Sequence, residues 1–325
     1  MRFELPFAEN DVVRARHVAV TPTLVANATF EGVRAAFCYW VFHLKAVMQG
    51  LLDRKPREQA VLGLFYRAMG YVASIRRLNA PIHVQAIASS ARSLFELGLD
   101  MALFSQDQTD DSPGRIAAFT RVERYRVAKK VLDFYAGRPV PPDLSLAEQQ
   151  ATVADVVETA AVESLVQQYW GRNRKGELNW PKHWSAFPET RGRAQHVGGP
   201  WEERYVRQYY MLSWQIHGGL TGVAELPKEA FDILASQAHQ LATGVILDCY
   251  RILGSELHLA SSIPKWTNHL NFLEHVVGLA LVDGRLQALG EPARLLYLEA
   301  HEHEPGERRT KNGESRSPFT VNRAT

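Results

Sequence analysis

The chain has 325 residues, 46% of them hydrophobic, which suits one large domain or two small ones with a sizeable core. Its 37 basic and 35 acidic residues leave a formal net charge of +2, so any binding to nucleic acid or anionic lipid needs a local patch. No segment reads as a signal peptide or a membrane span, and Cys38 and Cys249 lie far apart in apolar runs. These features predict a cytoplasmic protein with two buried thiols and no membrane partner.

Helical periodicity dominates the chain and strand-like alternation is nearly absent, which predicts an all-α fold, a single bundle of about eight helices. The predicted helices span roughly 23–53, 57–78, 82–105, 114–135, 145–170, 201–217, 227–254 and 268–282. Residues 171–200 carry glycine, proline and mixed charge without a period, and we predict a long Trp-rich loop there. Residues 1–303 form the predicted helical domain, and residues 304–325 form a polar tail predicted to be disordered.

The third predicted helix carries its polar residues in one narrow stripe. Gln85, Ser89, Arg92, Glu96 and Asp100 recur every three or four residues and therefore share a face. The stripe is narrower than an ordinary exposed face and contains no lysine. It is open to three interpretations: a solvent-facing stripe, a buried structural ion pair, or one wall of a functional cleft.

The sixth predicted helix carries a second polar set. Tyr210, Ser213 and His217 follow at helical spacing, so a phenol, a hydroxyl and an imidazole share one face. At the end of a helix the imidazolium is favoured, and His217 can then act as a general acid or as a cation beside Glu96. The alternative is a core histidine that donates to a carbonyl, with Ser213 bonded to its own helix backbone.

The Trp-rich loop interleaves tryptophans with cations, a pattern typical of proteins that stack bases and bind phosphates. The candidate nucleic-acid-binding residues are Arg172, Arg174, Lys175, Trp180, Lys182 and Trp184. The alternative is a loop pinned to the bundle by its tryptophans, with the charges in solvent. The fourth predicted helix is also basic, and we interpret it as a solvated face. No metal-ligand spacing and no phosphate loop occurs, so no metal and no cofactor is predicted.

Several of these segments together resemble a known family. The series ARSLFELGLDMALF, RIAAFTRVERYRVAKK, YWGRNRKG and YYMLSWQIHGG is similar to the bacterial domain-of-unknown-function family numbered 5677 over residues 57–255. The resemblance implies an Arg-x-x-x-Glu helix and a Tyr-x-x-Ser-x-x-x-His helix, and it supplies no activity.

A more distant likeness is to the higher-eukaryote-and-prokaryote nucleotide-binding helical domains, many of which are RNases of defence systems. In their motif four to six residues stand between an arginine and the catalytic histidine on one helix, whereas Arg204 and Arg207 lie farther from His217. Arg92 from the neighbouring helix could replace that arginine.

Two functional hypotheses follow from these patterns. The first is an RNA-directed protein, in its enzymatic form a metal-independent nuclease of the defence or stress class, with Arg92, Glu96, Tyr210, Ser213 and His217 as catalytic residues. The second is a non-enzymatic helical interaction module in which these residues form a buried network. The expected partner is RNA or another protein, with a homodimer as a further expectation. The two hypotheses differ in whether Glu96 and His217 lie open or sealed.

Overall fold

The structure is a computed structural model that describes residues 21–39, 55–78, 80–107, 111–142, 144–159, 162–185, 187–214 and 227–259, with residues 270, 271, 274, 277 and 278. These parts of the chain are mainly helical, and their single β-bridge joins Arg172 to Leu178. The all-α prediction is confirmed. None of the helices in these parts is both long and apolar enough to cross a membrane.

The helices are named here in chain order. They are α1 (Pro22–Tyr39), α2 (Pro56–Arg77), α3 (Val84–Gln106), α4 (Asp111–Tyr135), α5 (Leu146–Thr159), α6 (Val162–Trp170), α7 (Thr190–Val197), α8 and α9 (Lys228–Glu256). Helix α8 runs without interruption through an α-helical turn (Pro200–Arg204), a π-helical turn (Tyr205–Tyr209) and a second α-helical turn (Tyr210–Trp214).

Helix α3 is the centre of the fold and packs against α2, α7, α8 and α9. Leu94, Phe95, Leu99 and Met101 are completely buried on its different sides, because the helix is apolar around most of its circumference. Helix α1 packs on α9, and α4 packs on α5 and α6 at the edge of this core. The charged residues of α3 all belong to its polar stripe: Arg92, Glu96 and Asp100.

Gly98 allows α3 to pack closely against α8 and α9. A Cβ atom added at Gly98 would lie 2.5 Å from Val245 Cγ1 of α9 and 2.8 Å from Trp201 Cη2 of α8. Real Cβ atoms do not come this close to other atoms, so any larger residue would push the helices apart.

One arginine joins three helix ends. Arg57, at the start of α2, donates to Glu256 Oε2 at the end of α9 over 2.8 Å. It also donates to the carbonyls of Phe104 and Asp107, each at 2.8 Å, where α3 ends. The last carbonyls of a helix have no hydrogen-bond partner within the helix. The Arg57 guanidinium supplies the missing donors at the end of α3.

One prediction of local structure is corrected, and another rests partly on undescribed residues. The predicted helix 145–170 is described as α5 and α6, and residues 160–161 between them lie outside the described parts. The predicted loop 171–200 contains α7, whose few apolar residues gave no helical period; its contact with the core is made by Ala194 and by Arg193, which is 5% exposed. His217, residues 40–54 and the predicted tail 304–325 lie outside the described residues.

Candidate functional site

The π-helical turn of α8 decides which tyrosine faces α3. A π-turn adds one residue to a helical turn and so changes the direction of the residues that follow. Tyr209 ends this turn and is 5% exposed, whereas the next residue, Tyr210, is 52% exposed. The Ser213 hydroxyl donates to the Tyr209 carbonyl over 3.0 Å, which is the backbone bond foreseen as the alternative for this serine. The tyrosine that contacts Arg92 and Glu96 is therefore Tyr209, the neighbour of the predicted Tyr210.

Arg92, Glu96 and Tyr209 form a bridge between α3 and α8. Arg92 Nη2 donates to the Tyr209 hydroxyl over 2.9 Å, and that hydroxyl donates to Glu96 Oε1 over 2.5 Å. The Arg92 guanidinium also lies 4.8 Å from the centre of the Tyr209 ring, while Arg92 Nη2 and Glu96 Oε1 are 3.9 Å apart. The phenol thus mediates the Arg92–Glu96 pair that the sequence predicted.

The environment keeps this phenol protonated. Burial, and then the hydrogen bond to the Glu96 carboxylate, raise the pKa of Tyr209 above its ordinary value of 10.0. A protonated phenol donates a hydrogen bond, and this bond holds the Glu96 side chain in one orientation. Its side chain nevertheless remains 40% exposed, whereas that of Arg92 is 19% exposed.

Asp100, one turn further along α3, lies against the segment that leads into α7. His183 Nε2 is 3.0 Å from Asp100 Oδ1, and Arg193 Nε is 3.8 Å from the same oxygen. The backbone N–H of Ser185 donates to His183 Nδ1 over 3.1 Å, so Nδ1 is an acceptor nitrogen. Asp100 Oδ1 is buried and accepts no hydrogen bond in the described structure, so His183 and Arg193 lie near it without a hydrogen bond to it.

A cleft of about 700 Å³ opens along this side of α3. Its walls come from α2, α3, α4 and the segment around His183, and Glu96 and Asp100 both line it. Leu64, Leu97, Ile116 and the aromatic rings of Tyr71, Phe119 and Trp184 supply its apolar surface. Clefts of this size with a few converging polar groups commonly bind small molecules or chain segments.

The carboxylates of the cleft all have partners, but two of its arginines do not. Glu123 accepts from Arg126 Nη1 over 2.5 Å, and Glu96 and Asp100 have the partners given above. Arg67 of α2 and Arg124 of α4 are exposed and form no ion pair or hydrogen bond with any residue in the described parts of the chain. The cleft therefore offers two uncompensated positive charges next to apolar and aromatic walls.

The tryptophans of the predicted nucleic-acid-binding loop have different surroundings. Trp184 is 5% exposed and packs edge-on against Phe104, so it belongs to the core, and it also lines the cleft. Trp180 is 38% exposed. The predicted cations of this segment are exposed. Arg172, Arg174 and Lys175 lie on a short hairpin closed by the Arg172–Leu178 bridge, and Lys182 follows it.

The structure brings together only part of the predicted catalytic set. Arg92 and Glu96 are joined through Tyr209, and of these two only Glu96 lines the cleft. Ser213 is bonded within its own helix, and His217 lies outside the described residues. Sequence reasoning missed Arg67, His183 and Arg193, because each comes from a different element and none shares a period with α3. Among the described residues no group of three or more His, Cys, Asp or Glu side chains could hold a metal ion.

Comparison with known proteins places the chain in a family. It matches a family of unknown function, DUF5677, over residues 58–227, which is more than half of its length. The chain belongs to this family, as the sequence motifs predicted. The matched range contains every residue that lines the cleft. Neither the comparison with curated proteins nor that with solved structures gives a match.

Proposed function

We propose that this protein acts on RNA and that the cleft between α2, α3 and α4 binds a single-stranded segment of it. The observation that carries the proposal is the charge of the cleft: Arg67 and Arg124 have no partner among the described residues, while the three carboxylates do. Guanidinium groups bind phosphate oxygens well, and each exposed phosphate contact adds affinity through release of counterions.

The walls of the cleft support a ligand that also has flat apolar parts. Tyr71 of α2 and Phe119 of α4 line it together with the two arginines. Aromatic side chains stack on unpaired bases, whereas the bases of a duplex are already stacked and paired. A single-stranded nucleic acid therefore fits this combination of charge and aromatic surface better than an inorganic anion or a duplex does.

The enzymatic form of the proposal is a metal-independent nuclease of the defence or stress class. The exposed Glu96 carboxylate would accept the proton of a ribose 2′-hydroxyl while the oxygen attacks the neighbouring phosphorus. The bond from phosphorus to the 5′-oxygen then breaks, and a second group protonates that oxygen. His217 is the predicted group for this step. The 40% exposure of the Glu96 side chain supports an open site over a sealed network.

The second candidate is the non-enzymatic interaction module. It is supported by Tyr209, which is buried and ties Arg92 to Glu96 across two helices. Partners of a buried hydrogen-bonded charge contribute to stability rather than to catalysis.

Binding of a labelled single-stranded RNA, followed by fluorescence anisotropy, tests the proposal. We expect Arg67→Gln and Arg124→Gln each to weaken binding by roughly tenfold and to lower its salt dependence, because each removes a phosphate contact. Arg121→Gln is the matched control, since Arg121 is exposed on the same helix as Arg124 but does not line the cleft. Equal affinities for the wild type and both cleft variants would refute the RNA site.

Cleavage of the same RNA in the presence of a chelator separates the two candidates. If Glu96→Gln and His217→Ala abolish cleavage while the melting temperature is retained, the protein is a nuclease. If the wild type does not cleave and Glu96→Gln lowers the melting temperature sharply, the network is structural.

A further inference from the structure

A second, smaller pocket of about 350 Å³ shares His183 with the cleft and has a different chemical character. Its wall contains two cations, Arg115 of α4 and Lys182, and three aromatic side chains, Tyr169, Trp170 and Trp180. No aspartate or glutamate lines it in the described parts of the chain. An acid-free pocket with cations and rings suits a ligand that combines a negative charge with an aromatic ring.

Several hydrogen-bond donors at this pocket lack acceptors. The Arg115 Nε and Trp170 Nε1 groups are buried and have no hydrogen-bond partner in the described structure. Lys182 is exposed and forms no ion pair or hydrogen bond there. Buried donors without acceptors are costly. The exposed Lys182 ammonium is the donor at this wall that an anionic ligand can reach.

The ring of Trp180 is held in place before any ligand arrives. It lies nearly parallel to Tyr125, at an interplanar angle of 12° and a centroid distance of 6.4 Å. The Arg126 guanidinium is 5.5 Å from the ring centre and donates to the Pro181 carbonyl over 2.6 Å, which fixes the backbone next to Trp180. Because the ring is ordered by these contacts and remains 38% exposed, stacking on it requires little further ordering.

From these observations we infer that the small pocket is a nucleotide site, with the base on Trp180 and the phosphate at Arg115 and Lys182. The ligand is either a free nucleoside monophosphate or one nucleotide of a bound RNA strand. In the second case the inference rests on the proposed function, and the shared His183 makes the pocket and the cleft neighbouring subsites for the same strand.

Two probes distinguish these sources. Isothermal titration with adenosine 5′-monophosphate measures the pocket alone, and anisotropy with a short labelled oligouridine measures the strand. We expect Trp180→Ala and Arg115→Gln to weaken binding of at least one probe by about tenfold, since stacking and phosphate contacts are each of this size. Trp180→Phe should restore much of the affinity.

Matched controls come from residues that lie outside the pocket. Lys130 is an exposed lysine of α4, and Arg121 is an exposed arginine on the same helix as Arg115; neither lines the pocket. Lys130→Ala and Arg121→Gln should leave both probes unaffected, while Lys182→Ala weakens at least one.

Different binding results would refute the nucleotide site and the proposed RNA cleft. If the oligouridine depends on Arg67 and Arg124 but neither probe responds to Trp180→Ala or Arg115→Gln, the nucleotide site is refuted and the RNA cleft stands. If the mononucleotide binds through Trp180 while the wild type binds no oligouridine, the pocket is a free-nucleotide site and the RNA proposal is refuted. Absence of binding for both probes refutes both.

Discussion

His239 makes the folding stability of this protein depend on pH. It lies on α9 with 0% exposure, its Nδ1 atom is 3.4 Å from Thr29 Oγ1 of α1, and its ring centre is 5.4 Å from that of Phe30. The other ring nitrogen, Nε2, is buried without a hydrogen-bond partner in the described structure. Burial disfavours the charged imidazolium and lowers the pKa of His239 from 6.5 to about 4.

The size and sign of the effect follow from this pKa. In the unfolded chain His239 takes up a proton below about pH 6.5, whereas the folded protein resists protonation until about pH 4. The neutral imidazole therefore contributes its full stability above pH 6.5, and this stability is lost as the pH falls toward 4. One pKa unit corresponds to about 1.4 kcal/mol, so the whole effect is about 3 kcal/mol.

Urea unfolding of the wild type and of His239→Leu between about pH 7.5 and about pH 4.5 measures this contribution. The free energy of unfolding of the wild type should fall by about 2.5 kcal/mol more than that of the variant over this range. His196→Gln is the control, because His196 is exposed and its removal should leave the pH dependence of the wild type. Parallel pH profiles for the wild type and His239→Leu would show that His239 does not titrate as argued.

Two further predictions concern the joints of the fold, and thermal or urea unfolding checks both. Arg57→Ala should destabilise the protein by about 3 kcal/mol, because it leaves the Glu256 carboxylate, which is 8% exposed, without its partner; a loss below about 1 kcal/mol would mean that water replaces the guanidinium. Gly98→Ala should lower the free energy of unfolding by about 1–3 kcal/mol, because the added methyl group overpacks the core. Gly70→Ala has no atom near its added Cβ and should stabilise the protein by up to about 1 kcal/mol. Stabilisation by both alanines would contradict the close contact at Gly98.

The sequence predicted the fold class and most of the helices because these depend on local information. Amphipathic segments of roughly 20 residues, and the helix-breaking residues between them, predict α2, α3, α4 and α9 to within a few residues. At the start of α5 the Glu148 N–H donates to Ser145 Oγ over 3.2 Å, a helix cap formed by residues close in sequence. Helix α7 escaped prediction because it is short and polar, and only contact with the core stabilises it.

In the candidate site, too, local sequence predicted some residues and only tertiary contacts identified the others. The stripe of α3 identified Arg92 and Glu96 from spacing alone, because residues three or four apart share a helical face. The choice between Tyr209 and Tyr210 could not be made in this way, since the π-turn in α8 has no sequence signature that separates two adjacent tyrosines.

By itself the sequence determined that this chain is an all-α member of its family and that α3 carries a charged stripe. Only the tertiary structure decided that Glu96 opens onto a cleft and that Trp184 belongs to the core. It also decided that Arg67 and Arg124 line the cleft without a partner among the described residues. The reason is physical: a helical period fixes neighbours along one helix, whereas exposure and charge balance depend on which other helices pack against it.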